Sequence, residues 1–341
     1  MNYSLGLDIG SHTIKLIELV YSGNSFALSA AGSIPTPPKA LTSTVPADTQ
    51  AVADTIKKLL KDTGAKSKNV NIALPESKVF TRVIEVPALS DRELSSAIKW
   101  EAEQYIPLPL ADVNLDFTTL RTAAETGTNK MEVLLVAAPK VLLSRYMGIL
   151  EVAEVTAIGA ETEIIATSRA LARSLPNVKN VLVASMGAQT TDLAILRGGV
   201  LALTRSIPAA GDAITRAIAQ GLDFSVTQAE EYKRTYGLDQ TKLEGKIVAA
   251  AKPIMDTIVG EIQRALAFYQ EKYHDRDIQS VVVSGGTARI PGMVIYLAQA
   301  LGMEVQPANP WVGISRDPRF NVLTAEGPNF CVAVGLALRT Q

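Results

Sequence analysis

An α/β fold of two domains facing each other across a cleft is what the sequence predicts, on three observations. Strand and helix signals alternate from one end to the other. The 341 residues suffice for about two domains of ordinary size. Two strand, small-residue loop, strand patterns occur far apart, one near residue 10 and one near residue 187. Two such halves placed face to face enclose a cleft.

The elements follow in order. Residues 3–8 read as a strand and 13–20 as the next, with a surface connection at Pro35 to Pro38. Val52, Ile56, Leu59 and Leu60 have helical spacing, and Gly64 supplies the C-cap. Residues 70–74 and 79–86 read as strands. Ser90-Asp91-Arg92-Glu93 is a capping box that opens a helix to about Glu103. A strand at 131–137 precedes a helix to about Glu151. Residues 181–196 form strand, turn, strand, closed by Arg197-Gly198-Gly199. Helical patterns fill 212–221, 227–236 and 246–273. A strand at 278–283 and a helix at 293–301 complete the reading, with Pro291 suited to that helix's first turn.

Composition excludes several classes. Lys and Arg total 33 against 34 Asp and Glu, a net charge of −1, which gives no general attraction to nucleic acid. The one cysteine, Cys331, rules out an internal disulfide and fits a reducing compartment. His12 and His274 lie too far apart, without a cysteine cluster, for a structural zinc site. No run reaches the ~18 apolar residues of a spanning helix, and the N-terminus enters a strand rather than a signal peptide. The expectation is a cytoplasmic chain with no membrane insertion of its own.

Three loops carry chemistry. Asp8-Ile9-Gly10-Ser11-His12-Thr13-Ile14-Lys15 brings an aspartate out of an apolar strand, turns tightly, and returns a lysine. Glycine permits close backbone approach to a phosphate, Lys15 adds a point charge, and Asp8 would hold Mg²⁺ through water. An ordinary hairpin turn is the alternative. Ser185-Met186-Gly187-Ala188-Gln189-Thr190-Thr191-Asp192 repeats the arrangement, with Gly187 and Ala188 amides and Thr190 and Thr191 hydroxyls as donors; a plain β-turn is its alternative. In Val281 to Gly292 a buried strand ends in Gly285-Gly286, against which a flat base and ribose can lie. A strand leading into a helix does not itself require two glycines.

Together the three loops resemble the phosphate-1, phosphate-2 and adenosine loops of the actin, heat-shock-70 and sugar-kinase superfamily, in the right order. Within it, the run from Ile98 to Pro109, followed by Asp112 to Phe117, resembles a signature of the PilM family of type IV pilus assembly proteins, relatives of the cell-division protein FtsA. Gly211 to Thr215, Ala229-Glu230, Lys233 and Tyr236-Gly237 are similar to both. The resemblance covers nearly the whole chain. It implies an actin-like, ribonuclease-H-like two-domain fold with an inserted FtsA-like 1C subdomain. The implied division is 1–86 and 158–176 as the first domain, 87–157 as the insertion, 177–318 as the second domain with a 2B part at about 212–273, and 319–341 as a C-terminal return.

The resemblance also implies ATP or ADP with Mg²⁺. Contacts would come from Asp8, Gly10, Ser11, His12, Thr13 and Lys15, and from Gly187, Ala188, Gln189 and Thr190. Gly211, Asp212, Glu230, Lys233, Gly285, Gly286, Thr287 and Arg289 complete the set, with Glu230 and Lys233 on the ribose or base. The implied partners are the cytoplasmic N-terminal peptide of the inner-membrane protein PilN and the pilus motor ATPases. Lys99, Trp100, Tyr105 and Ile106 are the candidate peptide contacts. Each has a plainer reading. Ser225-x-x-Gln228 and Thr227-x-x-Glu230 both read as capping boxes, Lys233 as a surface charge, and Trp100, Tyr105 and Ile106 as core, the favoured reading for Trp100.

One position departs from the superfamily pattern: Ser185 stands where the phosphate-2 aspartate is expected. Backbone amides and Lys15 can still hold phosphates, whereas hydrolysis depends on exact placement of metal and water. The expectation is nucleotide binding with slow or absent turnover. An ATP-binding assembly scaffold, a small-molecule kinase and an FtsA-like adaptor compete. No sugar-kinase signature is present beyond the shared loops. The C-terminal run Gly335 to Gln341 has no basic amphipathic anchor of the FtsA type, which favours the pilus reading.

Overall fold

The computed structural model describes residues 2–38, 41–43, 45–175, 179–274 and 278–339. Three sheets organise them. The first contains β1 (Asn2–Ile9), β2 (Thr13–Ser22), β3 (Ser25–Pro35), β4 (Asn69–Leu74), β8 (Thr156–Thr162) and β14 (Ile314–Ser315), in the order β14-β3-β2-β1-β4-β8. The second contains β9 (Asn180–Met186), β10 (Thr191–Arg197), β11 (Val200–Ile207), β12 (Ser280–Ser284) and β13 (Glu304–Pro307), in the order β11-β10-β9-β12-β13. Each begins as an antiparallel three-stranded meander and continues in parallel from its first strand. That shared plan is the physical content of the two similar hairpins in the sequence.

The third sheet, β5 (Phe80–Pro87), β6 (Val113–Arg121) and β7 (Lys130–Pro139), is antiparallel in the order β5-β7-β6 and lies between β4 and β8 in the chain. It starts at Phe80, earlier than the expected 87, because residues 80–87 pair with β7 rather than with the first sheet. The helices are α1 (Pro46–Thr63), α2 (Asp91–Glu103), α3 (Ala123–Thr126), α4 (Lys140–Val152), α5 (Glu163–Ala172), α6 (Gly211–Leu222), α7 (Val226–Tyr236), α8 (Lys246–Tyr273), α9 (Met293–Leu301) and α10 (Gly327–Ala337). α4, expected within the insertion, places Tyr146, Ile149 and Leu150 among the first sheet's core residues. The expected boundary at 176–177 falls outside the described residues, as do Thr340 and Gln341.

Local chemistry explains the ends. Gly64 caps α1 at φ 68°. Ser90 and Glu93 form both bonds of the expected capping box, and Ser225 with Gln228 forms another. Pro291 does not open α9; the helix starts at Met293 behind Gly292 at φ 77°, and the Pro291 carbonyl accepts from the Leu238 amide at 2.7 Å. Strands β9 and β12 are buried on both faces, as central strands with parallel neighbours require, which is why they read as unbroken apolar runs.

Helices α5 and α10 pack on each other between the two large sheets. Gly335 makes this possible: a Cβ there would lie 1.8 Å from the Ala166 carbonyl oxygen. The Arg169 guanidinium fixes the pair, donating to the Gly335 carbonyl at 3.0 Å and to both oxygens of Glu161. Among the described residues, no helix is long and apolar enough to cross a membrane.

Candidate functional site

The cleft between the two large sheets has a volume of about 530 Å³, within the range of small-molecule sites. All eighteen residues proposed from sequence as nucleotide contacts line it. Its two hairpins have the same geometry. The Gly10 amide donates to the Thr13 carbonyl at 3.1 Å, and the Gly187 amide to the Thr190 carbonyl at 2.9 Å. These turn-closing bonds occupy the glycine N–H groups, so Gly187 does not offer its amide to a ligand as the sequence suggested. Thr191 also turns away: its buried hydroxyl donates to the Ala209 carbonyl at 2.8 Å.

The Gly187 carbonyl ties three loops together. It accepts from the Thr287 hydroxyl at 2.6 Å and from the Gly211 amide at 3.3 Å. On α7, Lys233 is buried, not a surface charge. Its ammonium donates to the Gly211 carbonyl at 3.1 Å and the Thr215 hydroxyl at 2.7 Å, and pairs with Glu230 at 2.6 Å. Glu230 does not close the helix N-terminus; Gln228 does. Burial alone would raise the Glu230 pKa, but Lys233, Thr215 and Arg234 hold it down at about 2, a fixed anion at the cleft wall. Arg289 lines the cleft with its guanidinium paired to Glu326 at 2.6 and 2.5 Å.

Gly285 and Gly286 behave differently. Gly285 has φ 85°, and a Cβ there would lie 2.3 Å from the Met186 carbonyl oxygen, so only glycine fits. Gly286 is right-handed helical, and a Cβ there meets only Asn329 Oδ1 at 3.5 Å. A side chain at 286 would project into open cleft.

The floor holds Asp8 and Asp192, both in the loops singled out from sequence, and Glu163, which the sequence reading missed. Lys15 Nζ lies 3.2 Å from Asp8 Oδ2. Ser185 pairs in register with Asp192, which lines the same cleft, so the missing carboxylate has a neighbour directly across the strand pair. Burial raises the Asp192 pKa to about 6 against bonds from Ser206 and Thr190. Glu163, at the first turn of α5, is pushed well above the usual carboxylate range, first by desolvation and then by Asp192, Asp8 and Glu76. Glu76, buried between the cleft-lining Pro75 and Ser77 and not itself in the lining, is raised to about 7 by burial, with Asp192 adding to the rise. Asp192 was visible in its loop; Glu163 had no local motif to mark it.

Among the described residues, no three His, Cys, Asp or Glu side chains converge as a metal cage. The donors present are oxygens, which suits Mg²⁺, an ion that keeps several waters and takes one or two carboxylates beside phosphates.

The candidate peptide contacts separate. Trp100 is 74% exposed, which overturns the favoured core reading, and Lys99 is exposed with it. Ile106 is core, at 7% exposure. Tyr105 is half-buried beneath the Arg82 guanidinium, 4.8 Å from its ring centroid.

A profile of the family described as Type IV pilus assembly protein PilM matches residues 6–341. Among solved structures, the chain is similar to one titled PilM-PilN type IV pilus biogenesis complex, at 33% identity and TM-score 0.87, covering 98% of each chain. The ethanolamine utilization protein EutJ from Carboxydothermus hydrogenoformans shares the fold at 16% identity and TM-score 0.59, over 100% of this chain and 90% of that one. The cell division protein FtsA of Bacillus subtilis (strain 168) is 26% identical over 212 residues, 56% of this chain; the match spans about half of that protein's length, 48%. With its two matched sheets and central cleft, the chain has the actin-like fold.

Proposed function

Since this chain belongs to the Type IV pilus assembly protein PilM family, we propose that it is an ATP-binding scaffold of pilus assembly. It docks the cytoplasmic N-terminal peptide of PilN at the inner membrane and links it to the motor ATPases of the pilus machine. The observation that carries the nucleotide part is the convergence of three separate glycine loops and α7 on one cleft.

The cradle fits ATP. Residues 11–12 and 188–189 sit at the two hairpin tips with their amides outside the turn-closing bonds, where they can donate to phosphate oxygens. Lys15, held against Asp8, adds positive charge. Glu230 is kept ionised to accept from ribose hydroxyls, and Lys233 fixes its position. The open face at Gly286 receives the adenosine. Mg²⁺, when bound, would neutralise phosphate charge, with Asp8 and Asp192 as the residues to hold its waters.

Turnover is slow in this reading. Desolvation holds the Glu163 carboxyl well above the usual carboxylate range, Ser185 gives the metal no charge, and Asp192, raised only to about 6, is the carboxylate left beside Asp8. The nucleotide then serves to fix the angle between the halves. The exposed Trp100, with Lys99 and the edge of Tyr105, is the peptide contact, and Ile106 supports it from within the core.

Co-sedimentation tests the membrane part. The chain should remain in the supernatant with bare lipid vesicles and pellet with vesicles that display PilN. Pelleting with bare vesicles would contradict a tether through the partner.

A further inference from the structure

The cleft wall around Gly286 is built from two segments tied together. The Gly285 amide donates to the Pro328 carbonyl at 2.7 Å, and the Arg289 guanidinium pairs with Glu326. The Asn329 amide in turn donates to the Glu326 carbonyl at 2.9 Å. Residues 326–329, at the start of α10, are thereby held against the Gly285-Gly286 loop. α10 is itself locked on α5 by the close approach at Gly335.

The polar side chains on this wall differ in what they have left to offer. Arg289 is paired with Glu326, and the Thr287 hydroxyl is given to the Gly187 carbonyl. Glu230 and Lys233 are bonded to each other and to Thr215. Asn329 also lines the cleft, yet its side-chain carboxamide makes no hydrogen bond among the described residues. Its Oδ1 lies 3.5 Å from the position of a Cβ on Gly286. The carboxamide therefore borders the open face where a base would rest, on a backbone that the three ties hold in place.

A carboxamide is an acceptor and a donor side by side. Adenine presents the complement along one edge, its amino group next to the acceptor N7, and a carboxamide meets both. Guanine and hypoxanthine present two acceptors along that edge, O6 and N7, and a carboxamide can satisfy only one of them. Its Oδ1 would then face a carbonyl oxygen with no proton between them.

We propose that Asn329 reads the base, accepting at Oδ1 from the adenine amino group and donating from Nδ2 to N7, so that the cleft selects adenine over 6-oxopurine nucleotides. The inference rests on the nucleotide reading of the cleft and names the residue that gives it base specificity.

The probes are ATP, ITP and 7-deaza-ATP, each used to displace a fluorescent ATP analogue from the full chain. The wild type should bind ATP at least about tenfold more tightly than ITP, and at least about threefold more tightly than 7-deaza-ATP, which lacks the N7 acceptor. Asn329→Leu keeps the size of the side chain and removes its hydrogen bonding. Because the carboxamide has no partner within the chain, this variant should keep the wild-type thermal stability. It should also bind the three nucleotides within about threefold of one another. Equal wild-type affinity for ATP and ITP, or for ATP and 7-deaza-ATP, would overturn the proposal without recourse to any variant. So would a folded Asn329→Leu chain that retains the preference. Failure of the wild type to bind ATP at all would overturn the nucleotide reading together with this proposal, whereas ATP binding without base preference would overturn the role of Asn329 alone.

Discussion

His12 Nε2 lies 3.1 Å from Asp212 Oδ1, joining the tip of the first hairpin to the first turn of α6 across the mouth of the cleft. The pair connects the two halves at the point where a nucleotide would enter and leave. His12 is about half-exposed (52%) and the contact is correspondingly weak, in the range of surface pairs. His12→Ala should speed release of a fluorescent ATP analogue by about two- to fivefold, read by stopped flow, with little change in the association rate. An unchanged release rate would mean the contact does not guard the cleft.

Gly286→Val tests the adenosine face without strain. The backbone there is compatible with any residue and the added methyls point into open space, so thermal stability should hold while ATP affinity falls at least about tenfold. Wild-type affinity in this variant, measured by calorimetry, would move the base to another wall.

In the proposed reading, Ser185 and Asp192 are the pair that limits turnover. Wild-type hydrolysis should lie well below the common enzyme range of ~1–10 s⁻¹. Ser185→Asp puts a second carboxylate opposite Asp192 and should tighten Mg²⁺ dependence of ATP binding. A wild-type rate inside that range would contradict the scaffold reading of the floor.

Glu76 sets a pH dependence of stability. Its pKa is near 7 in the folded chain, raised mainly by burial, against about 4.3 in an unfolded chain. Folding therefore takes up a proton between those values. Stability is greatest below about pH 4.3 as far as this group is concerned, and is lost as pH rises through 7, by up to about 4 kcal/mol. Glu76→Gln should flatten the fall of the denaturation midpoint between pH 5 and 8. A wild-type midpoint that climbs steadily over that range would contradict the assignment.

The loops were legible because each is a local event: glycine at a tight turn after an apolar strand shows in a handful of consecutive residues. Glu163 was not, because β8 and α5 bring it to the cleft only through tertiary packing. The Ser185 reading anticipated a loss of charge that Asp192 partly offsets, a relationship visible only in strand register. Trp100 was legible in principle. Leu94, Ile98 and Ala102 recur every four residues and are buried, and position 100 falls on the opposite side of that stripe. Its size suggested core where its helical phase placed it outside. The start of the inserted sheet at Phe80 was missed because a strand's apolar pattern does not say which sheet it joins.

The most direct test of the account is calorimetric titration of the full chain with a synthetic PilN N-terminal peptide, in the presence and absence of Mg-ATP. The account, in which the nucleotide is proposed to fix the angle between the halves, predicts saturable binding whose affinity differs between the two conditions, and a clear loss in Trp100→Ala. Absence of binding with and without nucleotide would contradict it.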